Sequence, residues 1–255
     1  MALPIRVWLT RQSLQPRLHV FESPLTDRCQ VLFVLEELEV PYEARSIKFD
    51  DAKKAPSVGG SPHGRVLAIE DPNVDLTLWE SGAMLTYIIE RYDTRNALTY
   101  TDLEKKHHLN QWLHFQTSGQ GPYYGIAGWF IHLHPEKVQS AIERYTNQVT
   151  RVLCVLEGCL EGKEWLVGDK MTYVDMAWVP WNDRVDTSLG IPESDKFKGF
   201  PNVKAWHERM VSLPSWEKTI QLKAKLVNKQ GIIWLEIDPR TTSKLLSRRR
   251  SSSAR

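Results

Sequence analysis

The stretch "LTLWESGAMLTYIIERY" (76–92) joins a strand pattern to a helix pattern at a single corner. Its opening apolar run predicts a short strand, and the apolar residues after the corner recur at helical spacing. Between the two patterns lie Glu80, Ser81 and Gly82. The buried face predicted for the helix comprises Ala83, Met84, Tyr87, Ile88 and Tyr92. The stretch therefore predicts a strand-to-helix junction that carries a carboxylate and a hydroxyl.

The residues before this corner predict a small mixed sheet flanked by helices. A strand is predicted in "RLHVFES" (17–23), a helix begins near Thr26, and a second strand falls in "PYEARSIKF" (41–49). The runs "RVLAIED" (65–71) and "VDLTLWE" (74–80) meet at "DPN", which signals a hairpin. The order strand, helix, strand, loop, hairpin, helix is satisfied by a four-stranded mixed sheet with helices against it.

After Asp102 the strand patterns largely stop, and the sequence predicts helices. One long amphipathic helix is indicated by apolar residues every three or four positions, namely Val138, Ile142, Tyr145, Val149, Val152 and Leu156. Thr172 and Asp175 have the spacing of a capping box, which predicts the start of a buried helix. The predicted organisation is an extension at 1–16, an α/β domain at 17–95, an all-helical domain at 102–227, and a basic tail at 228–255 whose end is disordered.

Composition and charge exclude several classes of function. With 42% hydrophobic and 25% charged residues, the chain has the make-up of an ordinary globular protein. The net charge of +2 gives no global reason to expect nucleic acid as a partner. No apolar run is long enough to span a bilayer, and the start of the chain lacks an apolar signal core. We therefore expect a cytoplasmic protein with no nucleic-acid or membrane partner.

Cysteine and histidine spacing predicts neither a metal site nor a disulfide framework. Cys29, Cys154 and Cys159 fit no zinc pattern, and we expect all three in packed positions. Cys29 falls in the first turn of a predicted helix, where thiolates are stabilised, so a nucleophilic role is its alternative. His132 and His134 are two residues apart and would not share a helix face, so we predict no metal site.

The corner at Glu80 and Ser81 has the chemistry to bind the α-amino-acid end of a ligand. The first amides of a helix have no intrahelical partner and lie at the positive end of its dipole, so they bind carboxylates. The Ser81 hydroxyl is an additional donor, and the Glu80 carboxylate can hold an ammonium group. In the alternative interpretation, Ser81 only caps its helix and Glu80 is solvated.

These segments resemble the signature regions of cytosolic glutathione transferases. "LWESGAMLTYIIERY" (78–92) is similar to their clamp for the γ-glutamyl group of glutathione, and "EWLVGDKMTYVDMAWVPWN" (164–182) to the capping box of their helical domain. "LEELEVPYE" (35–43) and "GPYYGIAGWF" (121–130) are similar to the fungal branch related to the yeast nitrogen-regulator prion protein. The resemblance implies a thioredoxin-like domain followed by an all-α domain, glutathione as cosubstrate, and a homodimer.

The resemblance also implies which residues contact glutathione. They are Lys53, Arg65, Val66, Glu80 and Ser81, with Glu80 and Ser81 on the γ-glutamyl clamp. Val66 takes the place of the residue whose backbone pairs with the cysteinyl amide. The chain departs from the family pattern at the next position, because Leu67 stands where the family has a cis-proline. A cis bond before a residue other than proline costs about 2.5–4 kcal/mol, so the loop is reshaped or strained.

A donor to the glutathione sulfur is expected in the turn "ESPLTDRC" (22–29). The family places a Ser, Cys, Tyr or Asn there to stabilise the thiolate, and Ser23 followed by proline is our candidate, with Thr26 second. In the alternative interpretation, Ser23 only shapes the turn.

An apolar pocket for a second substrate is expected near "GPYYGIAGWF", lined by Tyr123, Tyr124 and Trp129, with interdomain packing as the alternative role for these aromatics. The resemblance implies that the glutathione thiolate adds to an apolar electrophile. The product is a conjugate if the thiolate stays and a double-bond isomer if it leaves, which would suit a specialised biosynthetic pathway. The alternatives are a non-catalytic glutathione-binding or regulatory protein and a glutathione-dependent disulfide reductase.

Overall fold

The computed structural model describes residues 5–8, 26–45 and 68–228. In the N-terminal part the strands and helices are β1 (Ile5–Trp8), α1 (Thr26–Glu37), β2 (Tyr42–Arg45), β3 (Ala68–Asp71), β4 (Leu76–Trp79) and α2 (Ser81–Tyr92). The sheet has the order β2-β1-β3-β4. β1 and β2 are parallel, whereas β3 is antiparallel to both β1 and β4. The prediction of a small four-stranded mixed sheet is therefore confirmed.

The first strand of the sheet does not lie where the sequence analysis placed it. β1 is formed by Ile5–Trp8, inside the segment predicted to be an extension before the sheet. That prediction is wrong at these residues, because β1 pairs along its length with β2 and so belongs to the sheet. The strand predicted at 17–23 lies outside the described residues.

The hairpin predicted around "DPN" is formed by β3 and β4, which pair from Ala68 opposite Trp79 to Asp71 opposite Leu76. Asp71 organises its turn: Oδ1 accepts hydrogen bonds from the backbone amide and the side-chain amide of Asn73, at 2.9 and 2.8 Å. The other carboxylate oxygen of Asp71 accepts bonds from two hydroxyls of α2, those of Tyr87 and Tyr92. The turn end of the hairpin is thus hydrogen-bonded to the helix that follows the hairpin.

The buried face of α2 differs by one position from the predicted stripe. Its buried residues are Met84, Leu85, Ile88 and Ile89. Ala83 is exposed, contrary to the prediction. Tyr87 and Tyr92 are half-buried, because their hydroxyls reach the Asp71 carboxylate at the rim of the core.

The C-terminal part is helical, as predicted. Its elements are α3 (Leu103–Phe115), a first π-turn (Gln116–Gln120), α4 (Gly121–Gly128), a second π-turn (Trp129–Leu133), α5 (Gln139–Cys159), α6 (Tyr173–Asn182), α7 (Val185–Leu189), a 3-10 turn (Glu193–Asp195), α8 (Pro201–Val211) and α9 (Pro214–Asn228). Among the described residues, no helix combines the length and the apolar character needed to cross a bilayer.

α6 is the central helix of this part, and the predicted capping box starts it. Asp175 accepts from the Thr172 amide at 2.9 Å and from the Thr172 hydroxyl at 2.7 Å. Its other oxygen accepts from the Leu166 amide at 3.0 Å and from the indole of Trp206 at 3.1 Å. Asp175 is fully buried, so these four bonds replace the water that its carboxylate loses. The structural interpretation of this motif is confirmed.

The three cysteines do not all occupy packed positions. Cys29 is 2% exposed within the core, in agreement with its predicted packing role. Cys154 is exposed and Cys159 is half-buried, so the prediction is wrong for Cys154 and only partly right for Cys159. The reason is the orientation of α5, which turns Leu153 and Leu156 into the core and places Cys154 on another face.

Candidate functional site

The corner between β4 and α2 carries backbone strain at the residue predicted to bind a ligand. Glu80 has φ 72° and ψ 119°, a conformation that residues other than glycine rarely adopt. Such a residue costs about 1–3 kcal/mol and persists where the surrounding structure enforces it, often at ligand clamps. Here β4 ends at Trp79 and α2 begins at Ser81, so the chain passes from strand to helix at a single residue.

The start of α2 is open to solvent and offers hydrogen-bond donors. Glu80 is exposed and Ser81 is half-buried. The first helical bond runs from the Met84 amide to the Glu80 carbonyl, at 3.0 Å, so the amides of Ser81, Gly82 and Ala83 precede it. The N-cap position is held by Glu80, with Ser81 as the first helical residue. Ser81 is therefore not the N-cap residue of α2, whereas the exposure of Glu80 agrees with the other part of that alternative, in which Glu80 is solvated.

The helical part of the molecule lies directly against this corner. A Cβ atom added to Gly82 would lie 3.3 Å from Cγ2 of Thr117 and 3.7 Å from the side chain of Leu113. Thr117 belongs to the first π-turn and Leu113 to α3. The corner is therefore at the boundary between the sheet and the helices, where a ligand bound to α2 would also meet the helical part.

The first π-turn is anchored by amide side chains that sequence reasoning missed. Gln120 donates to the Trp178 carbonyl at 3.0 Å and to Oδ1 of Asn182 at 2.9 Å. Gln116 donates to Oε1 of Gln120 at 3.2 Å. Gln116, Gln120 and Asn182 are all buried. The available signal was the pair of glutamines four residues apart in "QTSGQ" (116–120), polar residues continuing an otherwise apolar helix face.

The three aromatic residues predicted to line a pocket have different environments. Tyr124 is 1% exposed, donates to Oδ1 of Asn182 at 3.2 Å and lies edge-on to Trp181. Burial raises the pKa of the Tyr124 hydroxyl well above its usual value. Tyr124 therefore belongs to the core, which corrects its assignment to a pocket wall. Tyr123 is half-buried and Trp129 is 47% exposed, so both remain available to a ligand.

Several predicted site residues lie outside the described residues. These are Ser23, Lys53, Arg65, Val66 and Leu67. Thr26, the second candidate donor, is the first residue of α1. Of the predicted site, the described residues thus include the corner at Glu80 and Ser81 and the start of α1 at Thr26.

The two histidines considered for metal binding contact carbonyl groups. Nε2 of His132 lies 2.9 Å from the Thr187 carbonyl, and Nδ1 of His134 lies 2.6 Å from the Glu136 carbonyl. Within 26–45 and 68–228, no three His, Cys, Asp or Glu side chains are grouped to hold a metal ion.

The arrangement of fold and corner defines a class of protein. A mixed sheet followed by helices, with the start of α2 facing the boundary between them, suits two-domain proteins that bind an amino-acid or peptide ligand at a helix start. The family model described as "Glutathione S-transferase, C-terminal domain" matches residues 122–214, within the helical part.

Curated relatives and solved structures extend this match over most of the chain. The glutathione S-transferase-like protein gedE of Aspergillus terreus is 40% identical over 86% of this chain and 95% of its own. The transcriptional regulator URE2 of Saccharomyces cerevisiae is 35% identical over 75% of this chain and 64% of its own. The glutathione transferase URE2P6 of Phanerochaete chrysosporium, solved with oxidised glutathione, is 36% identical with a TM-score of 0.77, covering 87% of this chain and 97% of that one. The chain therefore belongs to the glutathione S-transferase family.

Proposed function

We propose that this protein binds glutathione at the corner between β4 and α2 and adds the glutathione thiolate to an apolar electrophile. The observation that carries the proposal is the strained Glu80 next to Ser81 at the open start of α2. The γ-glutamyl carboxylate would receive the first amides of α2 and the Ser81 hydroxyl, and its ammonium group would meet Glu80. The oxidised glutathione in the related Phanerochaete structure supports this choice of ligand.

The proposed chemistry uses the thiolate as the nucleophile. A thiol has a pKa near 8.5, which a hydrogen-bond donor and the start of α1 would lower. We propose Ser23 as that donor, with Thr26 second, and Lys53, Arg65 and Val66 as further glutathione contacts. Addition of the thiolate to a Michael acceptor forms a C–S bond at the β-carbon and moves the electron pair of the double bond into an enolate. Protonation of the α-carbon of this enolate gives a conjugate. Bond rotation in the unprotonated enolate, followed by expulsion of the thiolate, re-forms the double bond and gives an isomer, the reaction that a specialised biosynthetic pathway would use.

Calorimetric titration with glutathione tests the clamp. We expect Glu80→Ala and Ser81→Ala each to weaken binding about ten- to hundredfold, because each removes a charged hydrogen bond worth about 1.5–3 kcal/mol. Glu90→Ala on the exposed side of α2 and Ser140→Ala on α5 are the matched controls and should bind like the wild type. Unchanged affinity in both clamp variants would contradict the proposal.

Activity toward a generic aryl halide and an enone tests the transfer step. Activity lost in Ser23→Ala would support Ser23 as donor, and activity retained there but lost in Thr26→Ala would transfer the role to Thr26. Turnover of a model disulfide would instead indicate a reductase.

A regulatory protein on the same fold is the second candidate function. The observation in its favour is the 35% identity to a transcriptional regulator. It predicts glutathione binding without turnover of any of the three substrates.

Whichever function holds, we propose that the protein is a homodimer and that its domains divide between residues 95 and 102. Sedimentation at several protein concentrations tests the dimer. The exposed Trp79 on the edge strand β4 is consistent with such an interface.

A further inference from the structure

We propose that Thr117 is a positioning residue for glutathione, which holds the start of α2 at its binding position through contact with Gly82. The inference rests on the proposed function, because Gly82 directly follows the clamp residues Glu80 and Ser81. It adds that a residue of the helical part, remote in sequence from the clamp, sets how well the clamp binds.

A methyl group added to Gly82 would lie unusually close to Thr117. A Cβ atom at Gly82 would lie 3.3 Å from Cγ2 of Thr117, which is closer than most Cβ atoms approach a neighbour. Leu113, at 3.7 Å, would be at ordinary contact distance. Within α2, the Thr86 hydroxyl donates to the Gly82 carbonyl at 3.0 Å. A methyl at Gly82 would therefore require Thr117 or the first turn of α2 to shift by a few tenths of an ångström.

The methyl group of Thr117 is presented to Gly82 because its hydroxyl is engaged elsewhere. Oγ1 of Thr117 donates to the His114 carbonyl at 3.1 Å, and the neighbouring Ser118 hydroxyl donates to the same carbonyl at 2.7 Å. With Oγ1 bonded along its own helix, Cγ2 is the atom that faces α2. The contact is thus apolar and depends on one methyl group.

The π-turn that carries Thr117 cannot shift freely to relieve a clash. Gln116 and Gln120 flank Thr117 in the turn and bond to each other. Gln120 also bonds to Trp178 and Asn182 of the central helix α6. Moving the turn would break bonds between buried polar groups, which costs more than moving an exposed loop. The start of α2 would have to move instead, and the clamp residues with it.

A methyl exchange between the two residues tests the inference. Gly82→Ala should weaken glutathione binding about three- to tenfold in calorimetric titration, because small displacements of positioned groups are costly. Thr117→Ser removes Cγ2 but keeps the hydroxyl for His114, so the double variant Gly82→Ala/Thr117→Ser should return to within about twofold of wild-type affinity. Gly158→Ala adds a methyl that meets nothing within 4 Å and should leave affinity unchanged.

The possible outcomes separate this inference from the proposed function. A wild-type protein that does not bind glutathione overturns both. A wild type that binds, combined with a Gly82→Ala variant of equal affinity or a double variant no better than Gly82→Ala, overturns the role of Thr117 alone. If Gly82→Ala does not fold, two other variants test the inference. Thr117→Ala must weaken glutathione binding, whereas Ser118→Ala, which removes the other hydroxyl bonded to the His114 carbonyl, must not. Equal affinities in these two variants overturn the inference.

Discussion

Glu80 combines an unfavourable backbone conformation with the side chain proposed to hold the ammonium group of the ligand. Its φ of 72° lies in the region of backbone conformation that favours glycine, yet residue 80 is a glutamate. Adjacent Ser81 already begins α2, so the reversal cannot be spread over neighbouring residues. Backbone strain of this kind is common at ligand clamps, which supports the role proposed for the Glu80 carboxylate.

This strain predicts an inverted order of stability between two variants. Glu80→Ala and Glu80→Gly both remove the carboxylate and should both weaken glutathione binding. At an ordinary position the alanine variant is the more stable, but here the glycine variant should be more stable by about 1 kcal/mol, because glycine accepts positive φ. Urea unfolding measures the difference, and Asn96, which also has positive φ, offers a second site for the same comparison. An alanine variant as stable as the glycine variant would show that the backbone at Glu80 is unstrained.

Among the elements, α6 shows most clearly how a local signal starts a buried helix. Its capping box was predictable, because Thr172 and Asp175 are three residues apart and precede an apolar run. The further role of Asp175 was not predictable. It accepts from the Leu166 amide and from Trp206, and the latter lies 31 residues away in α8. The cap therefore also fastens α6 to its neighbours.

Removal of the Asp175 carboxylate should destabilise the protein more than loss of an ordinary cap. We expect Asp175→Ala to lower the free energy of unfolding by about 3–5 kcal/mol, since it leaves buried donors without an acceptor. Thr172→Ala should cost about 1–2 kcal/mol, and Thr172→Ser, which keeps the hydroxyl, should cost less. Denaturant unfolding measures all three, and glutathione affinity of the folded protein should not change. Equal losses for Asp175→Ala and Thr172→Ala would argue against the additional role.

Among the elements, the π-turns are the ones whose positions could not be predicted from the sequence. The sequence predicted a helical domain from residue 102 onward, and α3 and α4 lie within it. Periodicity does not reveal where a helix accommodates an extra residue, because that depends on side-chain bonds to another helix. At the first π-turn those bonds run from Gln120 to α6. The residue proposed to position the clamp lies in this turn, so sequence reasoning could not identify it.

At the scale of the whole molecule, the sheet part and the helical part are joined by direct contacts. Gln30 of α1 donates to the Ala177 carbonyl of α6 at 2.6 Å. Phe33 of α1 lies edge-on to Trp216 of α9, with ring centroids 5.1 Å apart. Because α1 packs against α2 of the sheet part and against α6 and α9 of the helical part, we expect the described parts to unfold in one transition.

The connection between the two predicted domains is also ordered by specific bonds. Asp93 accepts from the amides of Ala97 and Leu98 at 2.7 and 2.8 Å. The Leu98 carbonyl then accepts from the amide of Tyr173, the first residue of α6, at 2.9 Å. The connection therefore contributes to the relative placement of the two parts.

A buried histidine in the helical part should make global stability depend on pH. His207 is 5% exposed, packs on Phe197 and lies 3.9 Å from the Asp183 carboxylate. Burial, aided by the charge of Lys196, lowers the pKa of His207 from 6.5 to about 3. Below pH 6.5, His207 therefore takes up a proton in the unfolded chain but stays neutral in the folded protein. The stabilisation is complete above pH 6.5 and is lost as the pH falls from 6.5 toward 3.

Substitution of His207 should reduce this pH dependence. We expect wild-type stability to fall by up to about 1.4 kcal/mol per pH unit from this residue below pH 6.5. His207→Gln removes the titrating group and should flatten the profile between pH 6.5 and 4, whatever it does to stability at pH 7. His108→Gln, at an exposed position on α3, is the control. Parallel profiles for wild type and His207→Gln would contradict the prediction.

Local signals were enough to predict the hairpin of β3 and β4, the helix after it, and the cap formed by Thr172 and Asp175. Periodicity and capping act within a few residues, so they can be read without knowledge of the fold. The strain at Glu80 and the contact between Gly82 and Thr117 became evident only in the folded molecule. That contact joins residues 35 positions apart, and its existence depends on how one helix packs against another.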